Sequence, residues 1–240
     1  MAKILIHGGS SLISKYLIEE LYNNTDEFHI FCRSEKKTKE IINLEKYNSN
    51  KFFFYENDLK NIDLTLSDIE KLPNDLTGIF WISGYDGFPK QEITNVKLLE
   101  ENLKVNFLNI VICINFLLKK LILKKNNFIC VHTSVAGLRG RKQKLFYSAA
   151  KAGMINYLSG LRQLYNNKLK IVTVIPGYIS TNAFDIKAPK FLITSPKKSS
   201  QIVINGINSN KEIIYINWVW RLIMIVIKLI PEKIFKKLNF

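Results

Sequence analysis

Short apolar runs alternate with longer amphipathic ones along most of this chain. Lys3–His7 is apolar and stops at Gly8-Gly9-Ser10-Ser11, after which Leu12, Ile13, Tyr16, Leu17 and Leu21 follow at helical spacing. Asn23-Asn24-Thr25-Asp26 reads as a loop, and Phe28–Cys32 as a second strand ending at Arg33-Ser34. A polar helix over Glu35–Tyr47 leads to a third strand, Lys51–Tyr55, closed by Asn57-Asp58-Leu59. Thr77–Gly84 predicts a fourth strand, Leu98–Lys120 a long apolar helix, and Phe128–Thr133 a fifth strand. A helix over Phe146–Asn166 and a sixth strand, Leu169–Ile175, lead to Pro176-Gly177. Strands that alternate with helices predict one α/β domain, a doubly wound parallel sheet with helices on both faces.

The pattern changes after Thr181. Residues 182–195 lack periodicity and end at Ser195-Pro196, a helix start, so 182–212 reads as a substrate loop and helix at the C-terminal edge of the sheet. A short strand, IIYIN from Ile213, precedes a tail at 218–240. Its apolar run, Trp218 to Ile230, is interrupted by Arg221 and Lys228 and is too short to span a bilayer. Pro231 suits the first turn of a second helix carrying Lys233, Lys236 and Lys237. Two readings stay open: a core or dimer helix, or an interfacial helix with Trp anchors and a cationic face.

Composition narrows the class. The 240 residues are 47% apolar, which suits one sizeable core and excludes a disordered chain. Cys32, Cys113 and Cys130 are widely spaced, so reduced thiols in a cytoplasmic protein are expected, with neither a disulfide framework nor a zinc site. His7, His29 and His132 form no ligand pattern. The N-terminal residues enter a strand at once and lack the apolar region of a signal peptide. A formal charge of +15 has no nucleic-acid motif beside it, so nucleic acid is not an expected partner. The charge matters most where it meets apolar surface in the tail.

Two stretches carry chemistry. Strand, glycine turn and helix at the N-terminus is the opening of a Rossmann-type dinucleotide-binding unit. Tyr147 and Lys151, four apart, lie on one helix face. An ammonium beside a phenol favours the phenolate, so this tyrosine can exchange a proton near neutral pH, as carbonyl reduction requires. Ser134, upstream, could hold the carbonyl oxygen that receives the proton.

Gly8 to Ser11, Asn57-Asp58-Leu59, Ser83-Gly84, Asn106, Ser134, YSAAK at 147–151 and PGYIST at 176–181 together resemble the short-chain dehydrogenases/reductases over nearly the whole length. TSVAGLRGRKQKLFYSAAKAG, Ala188-Pro189 and the tail RLIMIVIKLIPEKIFKKL are similar to the decaprenylphosphoryl-2-keto-ribose reductases. The resemblance implies one NAD(P)-binding domain over 1–240 and hydride transfer to a small-molecule or lipid-linked carbonyl substrate. The closer group implies a keto sugar on a polyprenyl phosphate, made for cell-envelope polysaccharide. That group works with a flavin-dependent oxidase as partner, the wider family implies a homo-oligomer, and the interfacial reading of the tail would make this a cytoplasmic protein peripheral to the inner face of the membrane.

The same resemblance assigns roles. Tyr147 is the proton donor and Lys151 its electrostatic partner and nicotinamide-ribose ligand. Ser134 polarises the carbonyl, and Asn106 holds a water between Lys151 and solvent. Gly8, Ser10, Ser11 and Ile13 wrap the pyrophosphate, Asp58 and Leu59 contact adenine, and Ser83 and Gly84 the adjacent ribose. Ile179 and Thr181 meet the carboxamide side of the nicotinamide. Cys32 stands where an acid would bind the free ribose of NAD(H), while Arg33, with Lys36 and Lys37, suits a 2′-phosphate, so NADP(H) is favoured. Leu12 and Ser14 replace two further glycines of the family's loop. Leu12 crowds the pyrophosphate approach, which motivates an alternative: a cofactor-binding or scaffold protein with lost or weak turnover.

Overall fold

In the computed structural model, which describes residues 2–84, 95–181 and 188–238, the chain order is β1 Lys3–His7, α1 Leu12–Leu21, β2 Glu27–Cys32, α2 Glu35–Ile42, β3 Phe52–Glu56 and α3 Ile62–Lys71. There follow β4 Gly78–Trp81, α4 Val96–Leu103, α5 Asn109–Leu117, β5 Phe128–His132, α6 Leu145–Leu164 and β6 Lys170–Ile175. The chain continues through β7 Tyr178–Ile179, β8 Ile193–Thr194, α7 Pro196–Asn208, β9 Ile213–Tyr215, α8 Trp218–Leu229 and α9 Glu232–Phe235. Seven strands form one parallel sheet in the order β3-β2-β1-β4-β5-β6-β9, and β7 and β8 pair separately. The order reverses between β1 and β4, which opens a crevice at their C-terminal ends.

Each strand reads as a near-continuous apolar run because both faces are covered. On one face Leu17 of α1, Ile42 of α2 and Val203 and Ile207 of α7 pack on Ile4, Ile6, Phe28, Ile30, Phe80 and Val172. On the other, Ile69 of α3, Ile114 of α5 and Met154 and Leu158 of α6 pack on Leu5, Ile79, Trp81, Ile129 and Val131. Cys32, Cys113 and Cys130 are all buried and free, and burial pushes the Cys113 thiol up to about 12.

Three sequence expectations need correction. The polar helix after β2 stops at Ile42, because Asn43 takes a left-handed conformation and its N–H closes on Lys39 and Glu40 carbonyls. The long helix is not uniform: residues Lys104–Leu108 form a π-turn between α4 and α5, closed by Asn109 N–H to Lys104 O. Helix α3 was not anticipated; Asn61 caps it by accepting from Leu64 N, and Asp63 sits in its first turn. Ser195 and Pro196 do start a helix, with Ser195 Oγ accepting from Lys198 N. Residues 182–187 of the expected substrate loop lie outside the described residues.

The tail divides between core and surface. Trp220 and Met224 are buried in a third cluster with Val135 and Ile175, while Trp218 is 70% exposed. Of the two tryptophans expected to act as anchors, Trp220 belongs to the interior and Trp218 lies on the surface. A Cβ on Gly177 would lie 1.9 Å from Trp220 Nε1, so α8 docks only over a bare backbone. Gly177→Ala should cost about 1–3 kcal/mol through overpacking against a rigid indole, read as a lower urea midpoint with an unchanged m-value.

Candidate active site

The turn between β1 and α1 depends on Gly8, whose φ of 102° lies in the left-handed region where a side chain is strained. A Cβ there would also lie 2.8 Å from Ser83 N, so the chain leaving β4 closes on this turn. Gly8 and Gly9 both donate their N–H to Phe31 O, at 3.0 Å. The turn brings the positive end of α1 to the crevice, a place suited to an anion. Ser11 Oγ accepts from Ile13 N at 3.2 Å, and as an acceptor it keeps its own proton for an outside oxygen. Ser10 differs. Thr38 gives its hydroxyl proton to Ser34 O at 2.7 Å, so in the 2.9 Å contact Ser10 must donate to Thr38. The Ser10 hydroxyl faces inward, and the Ile13 side chain is in the core, so both present backbone to a ligand.

Ser14 replaces a glycine without disturbing this turn. It is fully buried and its Oγ donates to Gly8 O at 2.7 Å, tying the first turn of α1 to β1. Leu12 is half-buried at the helix start.

At the end of β2 the Cys32 thiol points inward, with burial raising its pKa, and Arg33, Lys36 and Lys37 are exposed. Asn57 N donates to Cys32 O at 2.9 Å and Asn57 Nδ2 to the buried Asp68, which holds the loop after β3 against β2. There Asp58 Oδ1 accepts from Lys60 N at 2.9 Å, and Leu59 O accepts from Asn109 Nδ2 of α5 at 2.7 Å. Acid, cation cluster and glycine turn thus line one side of the crevice.

The other side is built around Lys151. Its Nζ is buried on α6 and donates to His132 O at 3.3 Å. A Cβ on Gly84 would lie 3.1 Å from that Nζ and 3.4 Å from Asn106 Oδ1, so three sequence-predicted residues meet here. Asn106 is fully buried in the π-turn and its Nδ2 donates to Asn102 O and Oδ1 at 3.2 and 3.3 Å. That orientation turns Oδ1 toward Gly84 and Lys151. A π-turn adds one residue to the helical register and re-aims what sits on it. The Tyr147 ring centroid lies 5.6 Å from Lys151 Nζ and 5.5 Å from Lys144 Nζ.

Ser134 follows β5 by one residue. Its Oγ accepts from Ala136 N at 3.1 Å, which again leaves the hydroxyl proton for an outside oxygen. Gly137, which sequence reasoning passed over, fixes this loop on α6: a Cβ there would lie 2.7 Å from the Lys151 carbonyl carbon. The loop after β6 is tied to it by Val135 N donating to Pro176 O at 3.0 Å. On that second loop Ile179 packs against the core, and Thr181 N donates to Ile179 O at 2.8 Å. The signal for Gly137 was its place in TSVAG, directly after β5 and Ser134. Trp220 of the tail and Arg139 of the Ser134 loop, which join the tail to these loops, carried no local signal.

A family model described as short chain dehydrogenase matches residues 2–190. An uncharacterized oxidoreductase of Mycobacterium tuberculosis is 24% identical over 111 residues, covering 46% of this chain and 45% of that protein. The ketoacyl reductase HetN of Nostoc is 32% identical over 93 residues, covering 35% of this chain and 32% of that protein. The matches thus span at most about half the length of these curated relatives. A short chain dehydrogenase from Burkholderia cenocepacia, solved in complex with NADP, superposes with a TM-score of 0.79 at 14% identity, covering 100% of this chain and 98% of that one.

Two buried histidines flank the site. His7 stacks on Trp81 with centroids 4.0 Å apart, and its Nδ1 is 2.8 Å from Ser83 Oγ. Burial holds its pKa down at about 3. Burial, then the Lys151 charge, lower His132 to about 4 against a weak contribution from the Trp81 backbone. Both are neutral in the fold, whereas in the unfolded chain each takes up a proton near its ordinary value of 6.5. Stability is therefore full above about pH 6.5 and falls as the pH drops toward about 4, by up to about 1.4 kcal/mol per pH unit for each histidine. Urea midpoints measured across that window should decline; a flat profile would mean that these rings charge inside the fold.

Proposed function

Since the chain belongs to the short-chain dehydrogenase family, we propose that it is an NADPH-dependent reductase that delivers hydride to a carbonyl. The observation that carries this reading is the buried Lys151 Nζ beside Gly84 and Asn106, one helical turn from Tyr147 at the sheet's C-terminal edge. The residues present suit a dinucleotide: a glycine cradle at Gly8, the positive end of α1, a free hydroxyl proton on Ser11, and exposed Arg33, Lys36 and Lys37 for a 2′-phosphate. The backbone of Ser10 and Ile13 completes the pyrophosphate wall. Asp58 and Leu59 would hold the adenine, Ser83 and Gly84 the adjacent ribose, and Ile179 and Thr181 the carboxamide side of the nicotinamide. NADP in the Burkholderia neighbour favours the same cofactor here.

A reduced nicotinamide supplies the hydride. Tyr147 gives the proton to the carbonyl oxygen, and the Ser134 hydroxyl donates to that oxygen, stabilising the negative charge that develops on it. Lys151 holds the phenol ready to ionise and orients the ribose. Asn106 would hold a water between Lys151 and solvent, and that water is the route of proton resupply. The finer reading is a keto sugar carried on a polyprenyl phosphate, for cell-envelope polysaccharide. In that reading a flavin-dependent oxidase performs the other half of an epimerisation at the inner membrane face. Support for it is limited to the tail sequence and to an α8 that borders the loop at 176–181. Copies would pair through α4 to α6, where Leu108, Phe116 and Leu164 are exposed. The competing reading, a scaffold with weak turnover, is motivated by Leu12.

Tyr147→Phe should lower kcat about 10²- to 10⁴-fold with NADPH affinity little changed. Arg33→Asp should weaken NADPH binding about tenfold or more while sparing NADH, in line with loss of a charge-assisted phosphate contact. Fluorescence titration separates the alternatives: no binding of either nucleotide sinks the reductase, and tight binding without turnover on any carbonyl favours the scaffold.

A further inference from the structure

Helix α8 has two faces with different work. On its inner face Trp220 Nε1 donates to Leu192 O at 3.0 Å, and the ring stands edge-on to Tyr178 with centroids 5.4 Å apart. The same ring covers Gly177. At its C-terminal end α8 is held by Arg139, five residues beyond Ser134. Arg139 Nη1 donates to Lys228 O at 3.1 Å, Nη2 bonds Glu232 at 2.8 Å, and the guanidinium lies 4.1 Å from the Phe235 ring centroid. A cation on the last carbonyls of a helix satisfies its orphan acceptors. Trp220 thus grips the 176–181 loop and Arg139 the loop after Ser134, and Val135 N to Pro176 O joins the two.

The outer face has no partner among the described residues. Trp218, Leu222, Ile225, Val226 and Leu229 form one stripe at helical spacing, each at least half exposed. Phe191 extends it, through Asn217 Nδ2 donating to Phe191 O at 2.8 Å. Arg221 and Lys228 flank the stripe, and Lys233, Lys236 and Lys237 follow it. Glu232, the one acid at 218–240, is neutralised by Arg139. Two copies of this face would set like charges against each other. An anionic bilayer takes both the apolar stripe and the cations. Twelve residues make α8 about 18 Å long, and no helix among the described residues is long and apolar enough to cross a membrane.

We propose that α8 docks flat on an anionic lipid surface through this outer face, and that Trp220 and Arg139 transmit the docking to the loops that border the reaction site. The importance of those loops rests on the reductase reading; the docking does not. Trp220 and Arg139 are positioning residues, since they act through Gly177, Leu192 and the helix end.

The test uses the full chain with phosphatidylcholine vesicles, with and without phosphatidylglycerol. Co-sedimentation should require the anionic lipid, and the double variant Leu222→Asp/Val226→Asp should lose at least about tenfold in binding with its urea midpoint unchanged. Hydrogen exchange at residues 134–139 and 176–181 should slow several-fold on the vesicles. Trp220→Phe and Arg139→Gln should still sediment but lose that slowing. Equal sedimentation of the double variant, or a dimer that it abolishes while vesicles bind nothing, would overturn the lipid occupant. Bound vesicles with unaltered exchange in both loops would overturn the transmission. Failure to bind NADPH would remove the reductase reading and leave both of these results standing.

Discussion

A charged ammonium at the back of the crevice governs this structure. Burying Lys151 costs several kcal/mol unless polar groups surround it, and the chain meets the requirement from every side. β5 supplies the His132 carbonyl, the π-turn brings Asn106, and Gly84 stays bare so that backbone can come close. Gly137 lets the loop after Ser134 lie directly on the Lys151 backbone. Burial first, and then this cation, keep the neighbouring His132 neutral. Each of these residues looks ordinary alone; their common reason is one buried charge.

The phosphate end follows a different economy. Where a further glycine would close helix against strand, Ser14 does so with a hydrogen bond to Gly8 O. Small size alone would have sufficed for packing, but the bond also gives a second donor to a carbonyl that already accepts from Ser11 N. Neighbouring hydroxyls have unequal freedom there. Ser10 is locked onto Thr38, whereas Ser11 keeps a proton facing out. Leu12 remains the residue at which crevice access and helix packing compete.

Most of the architecture was legible in the sequence because parallel strands are apolar on both faces and glycines mark the first turn. The predicted strands at Lys3–His7, Phe28–Cys32 and Phe128–Thr133 recur with ends shifted by at most one residue. What was hidden depends on contacts distant in the chain. The π-turn has no composition signal, since Asn102 and Asn106 fit any helix until a side-chain amide competes for backbone. α3 is short and polar, and only its cap marks it. The two tryptophans of the tail are two positions apart and so fall on opposite faces of α8. A hydropathy run counts them alike, whereas the fold buries one and exposes the other.

The brace on Gly177 also bears on the order in which the molecule is completed. Every residue assigned to the reaction or the cofactor lies at or before Thr181, yet the groups that hold the two site loops lie at 218–235. A chain emerging from the ribosome therefore carries the full set of reactive side chains well before it can keep them in place. Until α8 arrives, Gly177 lacks the Trp220 ring that covers it and Arg139 lacks the helix end that it grips. Helix α8, made after every one of those side chains, is in this sense the latch that turns an assembled crevice into a set one.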